Sequence, residues 1–353
     1  MTTEVGLIQL QTLSGIAEAI RSKTDSSESV TPNEMAQAIL SISGGTGNIF
    51  GIPLEVFTGV VVDGTLTAST KSFQVNTGNE VRTIPTDFWN AKLQSSKVTE
   101  VSLPSVTSVG VRGLLRLCYL CPNVTSVSIP ALENITAEEA LRAVASECPS
   151  LTSINLQSLK TISATQAMMN LCYSDTSLQQ VSFPALTSVA GTHCFQTAFY
   201  GCTALVTAAF PMLESVSNGT GTNQGALENT FEGCTSLQSV DFSSLETISG
   251  RGTLWRCFLR CSSLTSVDFS SLKTINNGYA PLGQMFSGCT NLTSVSFPSL
   301  ISVKNDSFAE FAYGSSLSEI HFRTDMQATI QALSGYSSCF GKGAGTITIY
   351  FDL

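Results

Sequence analysis

Positive charge is scarce in this chain. Only 17 Lys and Arg stand against 26 Asp and Glu in 353 residues, a net charge of −9. Such a chain lacks the basic field that would hold nucleic acid or an anionic membrane surface, so neither is expected as a partner. Histidine is scarcer still: His193 and His321 are the two in the chain, about five repeats apart in the sequence, so they are not expected to meet. With no G-x-S-x-G, H-E-x-x-H or P-loop motif either, no catalytic apparatus and no cofactor are expected. Long apolar runs are also missing. No stretch approaches the roughly 20 apolar residues of a bilayer span, and the first Lys or Arg is Arg21, unlike the basic start of a secretory leader. The expectation is a chain with no signal peptide and no membrane insertion.

What is abundant is repetition. One apolar position recurs at Val98, Val124, Leu151, Leu178, Leu205, Leu237, Leu264, Leu292 and Leu317, with steps of 26, 27, 27, 27, 32, 27, 28 and 25. Three residues on stand Val101, Val127, Ile154, Val181, Ala208, Val240, Val267, Val295 and Ile320. Two beyond those stand Leu103, Ile129, Leu156, Phe183, Phe210, Phe242, Phe269, Phe297 and Phe322. Each unit therefore reads L-x-x-V-x-F, in which V-x-F alternates as a half-buried strand does. A second apolar pair follows, as in Pro184-Ala185-Leu186-Thr187-Ser188-Val189, where the chain turns. Before the strand lies F-x-G-C, at Phe199 to Cys202, Phe231 to Cys234 and Phe286 to Cys289, with Arg260 replacing Gly between Phe258 and Cys261. A period of 20 to 29 residues with this pattern predicts a leucine-rich-repeat solenoid of about eight rungs with a parallel β-sheet face. One rung buries too little to fold alone, so stability is a sum over stacked neighbours and both ends need caps.

At these residues the chain resembles the bacterial-surface-antigen class of leucine-rich repeats, whose units have the form F-x-G-C-x-x-L-x-x-V-x-F-P. The resemblance covers roughly residues 97 to 322 and implies a binding scaffold without a reaction. It extends to surface adhesins, secreted host-contact proteins and phage tail components alike.

The ends are built differently. Leu7, Leu10, Leu13, Ile16, Ala17 and Ile20 recur at helical steps. A second helix is predicted from Thr31, an N-cap followed by Pro32, with Glu34 closing a capping box and Met35, Ala38, Ile39 and Ile42 on its apolar face. Two helices in 45 residues enclose little core, so Leu7, Leu10, Ile16, Ile20, Met35, Ile39 and Ile42 are expected to meet other copies, a trimer being favoured, or another protein. The pattern IAEAIRSKT…TPNEMAQAI resembles the helical module that opens many phage and prophage tail-associated repeat proteins. The tail IHFRTDMQATIQALSGYSS…TITIYFDL resembles the C-terminal cap of the same proteins, with a short helix carrying Met326, Ile330 and Leu333 and a closing strand over Thr346 to Phe351. The expected organisation is residues 1–45 for attachment or oligomerisation, 46–96 as a β-rich connector, 97–322 as the solenoid and 323–353 as the C-terminal cap. The resemblance implies a tail fibre or receptor-binding protein, docked to a phage tail or baseplate protein at its N-terminus, facing a bacterial surface glycan or protein, and located in the virion. The alternative is a bacterial surface or secreted leucine-rich-repeat adhesin.

Eleven cysteines raise the question of metal or disulfides. Cys121, Cys148, Cys202, Cys234, Cys261 and Cys289 share one repeat position, and Cys118 and Cys172 fall where neighbouring units carry Phe. A column that follows the repeat reads as buried packing, and Cys118-x-x-Cys121 finds no second pair to complete a zinc site. No metal is expected, and the thiols fit folding in a reducing cytoplasm.

The exposed strand positions carry Thr125, Ser126, Ser128, Thr152, Ser153, Asn155, Gln179, Gln180, Ser182, Asp241 and Asp268, a face poor in the aromatics and Arg that anchor interfaces. The stretches between units vary more, above all Asn218 to Asn229, Arg251 to Arg256 and Asn276 to Gly283. Variation on one edge leaves the stacked core intact. Asn223, Arg251, Trp255, Arg256 and Tyr279 are therefore the candidate binding residues. Two readings of Trp255 and Tyr279 are open: filling irregular gaps in the core, or projecting as anchors.

Overall fold

The computed structural model describes residues 48–49, 52–53, 73–76, 82–88, 98–218, 225–276, 279–304, 306–333, 340–341 and 346–353. The predicted N-terminal helices with their seven apolar residues, and Asn223 and Cys339, lie outside the described residues.

Each rung of the solenoid has three sides. The V-x-F segment forms a leading strand. Successive leading strands pair in parallel, in one group from Phe73–Asn76 through Val98–Ser102 and Ser126–Ser128 to Ser153–Asn155, a second from Gln180–Ser182 to Ser266–Asp268, and a third from Ser294–Phe297 through Glu319–Phe322 to Thr348–Phe351. The register matches equivalent repeat positions: Val101 opposes Val127, Val181 opposes Ala208, and Val295 opposes Ile320. Phe73–Asn76 pairs with Val98–Ser102, and Thr83–Ile84 with Ser108–Val109. Among the described residues the parallel ladder thus begins at Phe73, inside the segment read from sequence as a connector. At the far end Thr348–Phe351 adds a further leading strand against Glu319–Phe322. The predicted short helix is present beside it, a 3-10 turn over Thr324–Met326 leading into an α-helix over Gln327–Gln331, with Met326, Ile330 and Leu333 buried.

The second apolar pair of each unit forms a ladder of its own, which the sequence alone does not reveal. Seven trailing strands, from Asn134–Ile135 to Ser302–Val303, make one continuous parallel sheet. Each is two or three residues long and places a polar residue outward and Val or Ile inward, as in Thr161-Ile162 and Thr247-Ile248.

The third side is made of turns. Backbone φ is positive at every fourth residue: Arg112, Arg116 and Leu120, then Glu139, Ala143 and Glu147, then Gln166, Asn170 and Ser174, and so on to Asp306, Glu310 and Gly314. Backbone amides alternate in what they donate to. Gly113, Leu115, Leu117, Tyr119 and Cys121 bond the carbonyl three residues back in their own rung, whereas Arg112, Leu114, Arg116, Cys118 and Leu120 bond the next rung. Both sets are satisfied, which is what a buried backbone requires, and no helix is needed on this side.

Two aromatic stacks run through the interior. Phe183, Phe210, Phe242, Phe269, Phe297 and Phe322 follow one another under the leading strands, with ring centroids 5.2 to 6.1 Å apart. Opposite them Phe199, Phe231, Phe258 and Phe286 stack at 5.5 to 5.6 Å with interplanar angles of 8° to 13°. Among the described residues no helix is long and apolar enough to cross a membrane.

Candidate binding edge

The rung from Leu205 to Leu237 is the long one in sequence, and Asn218 is the last described residue before Gly225. The Asn218 side chain is 2% exposed and acts as a clamp. Its Oδ1 accepts from the Ala226 amide at 3.1 Å and from Thr253 Oγ1 at 3.0 Å, while its Nδ2 donates to the Arg251 carbonyl. Thr192 Oγ1 donates to the Asn218 carbonyl at 2.9 Å. One amide thus joins Ala226 to the following rung and fixes the backbone on which Arg251 stands.

The structure brings four of the five candidates together. Trp255 and Tyr279, from adjacent rungs, stack with centroids 6.3 Å apart and planes 27° from parallel. The Arg251 guanidinium lies 5.4 Å from the centre of the Tyr279 ring and that of Arg256 lies 5.8 Å from the Trp255 ring. Such cation–π contacts hold a guanidinium in place while leaving its in-plane N–H groups available. Arg256 donates Nε to Gln284 Oε1 at 2.5 Å. Tyr279 is 50% exposed and Trp255 half-buried. The cluster is at the surface, resting on the core instead of filling it.

Its support is Gly283. A Cβ there would fall 2.6 Å from Trp255 Cε3 and 2.7 Å from Cζ3, so the indole lies directly on the bare backbone of the next rung. The sequence gives the variable stretch that holds the aromatics; a Gly opposite a Trp at the next repeat step was the readable sign that the ring lies flat. Glu228 stands beside the cluster. Its Oε2 accepts the Gly225 amide at 3.2 Å, and burial raises its pKa, which Arg256 and His193 partly oppose.

The leading-strand face is different in kind. Its threonine hydroxyls donate to carbonyls of the preceding rung, Thr125 to Thr99, Thr152 to Thr125 and Thr265 to Gln238, each at 3.0 Å. Asp241 and Asp268, opposed in register, each accept the backbone amide two residues on, at 2.9 and 2.8 Å. These two carboxylates line an open depression of about 530 Å³ between the second and third groups of leading strands. The polar groups named here are used within the coil.

The cysteines form a hydrogen-bonding column. The thiols of Cys148, Cys202, Cys234, Cys261 and Cys289 donate to the carbonyls of Cys118, Cys172, Phe199, Phe231 and Phe258, one rung earlier, at 2.8 to 3.1 Å. The ten described cysteines are buried and unpaired by disulfides. Burial pushes Cys194 and Cys289 up to about 12, which makes them poor nucleophiles. Where the column lacks a cysteine stands Asp175. Its carboxyl is fully buried; Oδ1 accepts the Cys148 amide at 2.7 Å and Oδ2 has no partner. Desolvation raises its pKa well above the usual carboxylate value. The repeat step made this readable, because 175 lies midway between Cys148 and Cys202.

His321 Nδ1 lies 3.0 Å from Asp352 Oδ1 and its ring stacks on Tyr350 at 4.7 Å, in the C-terminal cap. Among the described residues no group of three or more His, Cys, Asp or Glu is placed to hold a metal ion.

A model of the BspA type leucine rich repeat region matches residues 75–203 and 197–337, in six copies. Among solved structures, the chain is similar to a leucine-rich repeat protein from Bacteroides ovatus, at 20% identity over 74% of this chain and 70% of that one, with a TM-score of 0.41. It is similar also to a leucine rich repeat protein of T. pallidum, at 16% identity, 67% and 88% coverage and a TM-score of 0.33. An internalin from Listeria monocytogenes matches at 15% identity, 67% and 70% coverage and a TM-score of 0.25. No curated protein matches the sequence.

Proposed function

Since the chain belongs to the BspA-type leucine-rich repeat family, we propose that it is a non-enzymatic phage tail fibre or receptor-binding protein that recognises a bacterial surface receptor through the edge of its solenoid. The observation that carries the binding role is the surface cluster of Arg251, Trp255, Arg256 and Tyr279, in which Arg251 and Tyr279 are exposed, beside the longest spacing of the repeat. Aromatic and Arg side chains are the usual anchors of recognition surfaces, and sites on a rigid scaffold lose less entropy on binding. The virion assignment rests on the N-terminal and C-terminal sequence patterns, and the bacterial surface adhesin is the competing reading.

Two measurements test this. Labelled full-length protein should adsorb to cells of the host bacterium, and R251Q/Y279A should abolish adsorption while keeping the wild-type melting midpoint. Adsorption unchanged in that variant removes the edge from recognition. Deleting residues 1–45 should leave a folded, soluble solenoid that no longer joins phage particles. A full-length protein displayed on bacterial envelopes and absent from particles favours the adhesin.

A further inference from the structure

We propose that the Arg251, Trp255, Arg256 and Tyr279 cluster is a subsite for an anionic saccharide, with the two guanidiniums holding its carboxylate or phosphate and the Tyr279 ring carrying a sugar face. This rests on the receptor-binding reading and names the chemistry of the receptor.

Two guanidiniums over one stacked aromatic pair single the cluster out. Several cations elsewhere are neutralised by carboxylates of the same chain, Arg112 by Asp87 at 2.6 Å, Lys160 by Glu133 at 2.9 Å, Lys273 by Glu246 at 2.6 Å and Arg323 by Asp325 at 2.6 Å, and Arg116 lies over the Tyr119 ring without such a pair among the described residues. Among the described residues no carboxylate forms an ion pair with Arg251 or Arg256. Glu228, the acid beside Arg256, is committed to the Gly225 amide. On a chain of net charge −9, the cluster carries two guanidiniums, with Glu228 acting on Arg256 from beyond ion-pair contact.

Their geometry suits an oxyanion. Each is stacked on a ring, and Arg256 uses Nε on Gln284, so its terminal N–H groups remain for a ligand. A planar fork binds carboxylate or phosphate in two-point fashion. The parts are held in advance: Asn218 fixes the Arg251 backbone and Gly283 seats the indole. The half-exposed Tyr279 ring is bordered by the Arg251 guanidinium, and the Trp255 ring on which it stacks by that of Arg256. An apolar ring bordered by polar groups matches a pyranose, which has C–H faces and a hydroxyl edge, better than a peptide side chain that needs an enclosed apolar pocket.

The test is calorimetric titration of the full-length protein with oligogalacturonate for carboxylate, a glycerol-phosphate teichoic oligomer for phosphate, maltohexaose as a neutral control and oligoglutamate for an acidic peptide. At least one anionic saccharide should bind, about tenfold or more tighter than the neutral one, and more weakly as salt rises. R251Q/R256Q should lose about tenfold or more with an unchanged melting midpoint, and R251K/R256K should fall between, because it keeps charge without the fork. Equal binding of maltohexaose, tighter binding of oligoglutamate, no binding of either anionic saccharide, or an unaffected R251Q/R256Q each overturns the proposal. Cell adsorption separates the two readings. Wild-type adsorption without anionic saccharide binding refutes this subsite alone, whereas a wild-type protein that adsorbs to no host cell refutes the receptor reading beneath it.

Discussion

The rungs before Leu178 and those after it fill the same coil with different materials. In the earlier rungs the position under the leading strand holds Leu103, Ile129 and Leu156, and the facing wall holds Cys118, Ala145 and Cys172. From Phe183 onward both positions become aromatic, Phe183 through Phe322 on one side and Phe199 through Phe286 on the other. The backbone register is the same in both halves, with Ser126 opposing Ser153 in the first and Ser239 opposing Ser266 in the second. Rung spacing is therefore set by the backbone ladders, and side chains have only to fill the volume it leaves. What differs is tolerance. The longest spacing of the repeat and the Arg251 to Tyr279 cluster both occur in the aromatic half, where stacked rings tie successive rungs together over large faces.

The largest effect expected from breaking this contrast is in the aromatic stack. Phe242→Ala removes a buried ring between Phe210 and Phe269 and should cost about 3–5 kcal/mol in urea unfolding. A loss no greater than that of a surface change would mean that the stack contributes little.

The junction between the halves should respond next. Asp175→Cys restores the column residue and removes a buried carboxyl with an unpartnered oxygen, so it should stabilise by about 1–3 kcal/mol at pH 7.5. The sign with pH follows from the raised pKa. In the unfolded chain an Asp ionises near about 3.9. The contribution of the native carboxyl is complete below that value and is lost as pH rises toward the native pKa. The gain from Asp175→Cys should therefore be smaller at pH 5 than at pH 7.5, and a gain independent of pH would show that packing, not ionisation, is responsible.

Glycines separate crowding from backbone conformation. At Gly191 a Cβ would meet the Ala164 carbonyl oxygen at 2.3 Å, so Gly191→Ala forces two rungs apart and should cost about 1–3 kcal/mol. At Gly233, with φ of +74°, the nearest atom is 3.8 Å away and only the left-handed conformation resists a side chain. Gly233→Ala should cost about 1 kcal/mol. Thermal midpoints would rank them, and equal shifts would contradict the close approach at Gly191. The smallest effect belongs to Asp241→Ala, beside Phe242 on the outer face, at below about 0.5 kcal/mol. A loss approaching that of Phe242→Ala would mean that the inward and outward positions are interchanged.

The period, the leading strands and the inward residues were legible because Leu, Val and Phe recur at fixed steps. The trailing sheet was not, since strands of two or three residues, such as Ser188–Val189, are too short to show alternation. The turn wall was hidden for another reason. Four of its rungs carry Leu120, Glu147, Ser174 and Arg260 at the left-handed position where others have Gly, so composition does not mark it. For the candidate site, the variable stretch pointed to Arg251, Trp255, Arg256 and Tyr279. Their stacking depends on contacts between adjacent rungs, which a single unit of sequence does not contain. Asp175 escaped attention because it is conspicuous only against the column it interrupts.

The alternating amides of the turn wall have a consequence for how such a chain can change length. Each rung receives hydrogen bonds from the one before and offers the same set to the one after, so every rung presents its successor with an equivalent template. A duplication or loss of one whole period, through misaligned recombination between similar stretches of gene, keeps every donor matched. It moves everything downstream along the axis by one spacing of about 4.8 Å. The solenoid behaves as a ruler whose graduations can be added or removed, and the distance between the Arg251 edge and the strand at Phe73–Asn76 is a heritable setting that can vary without redesign of the core.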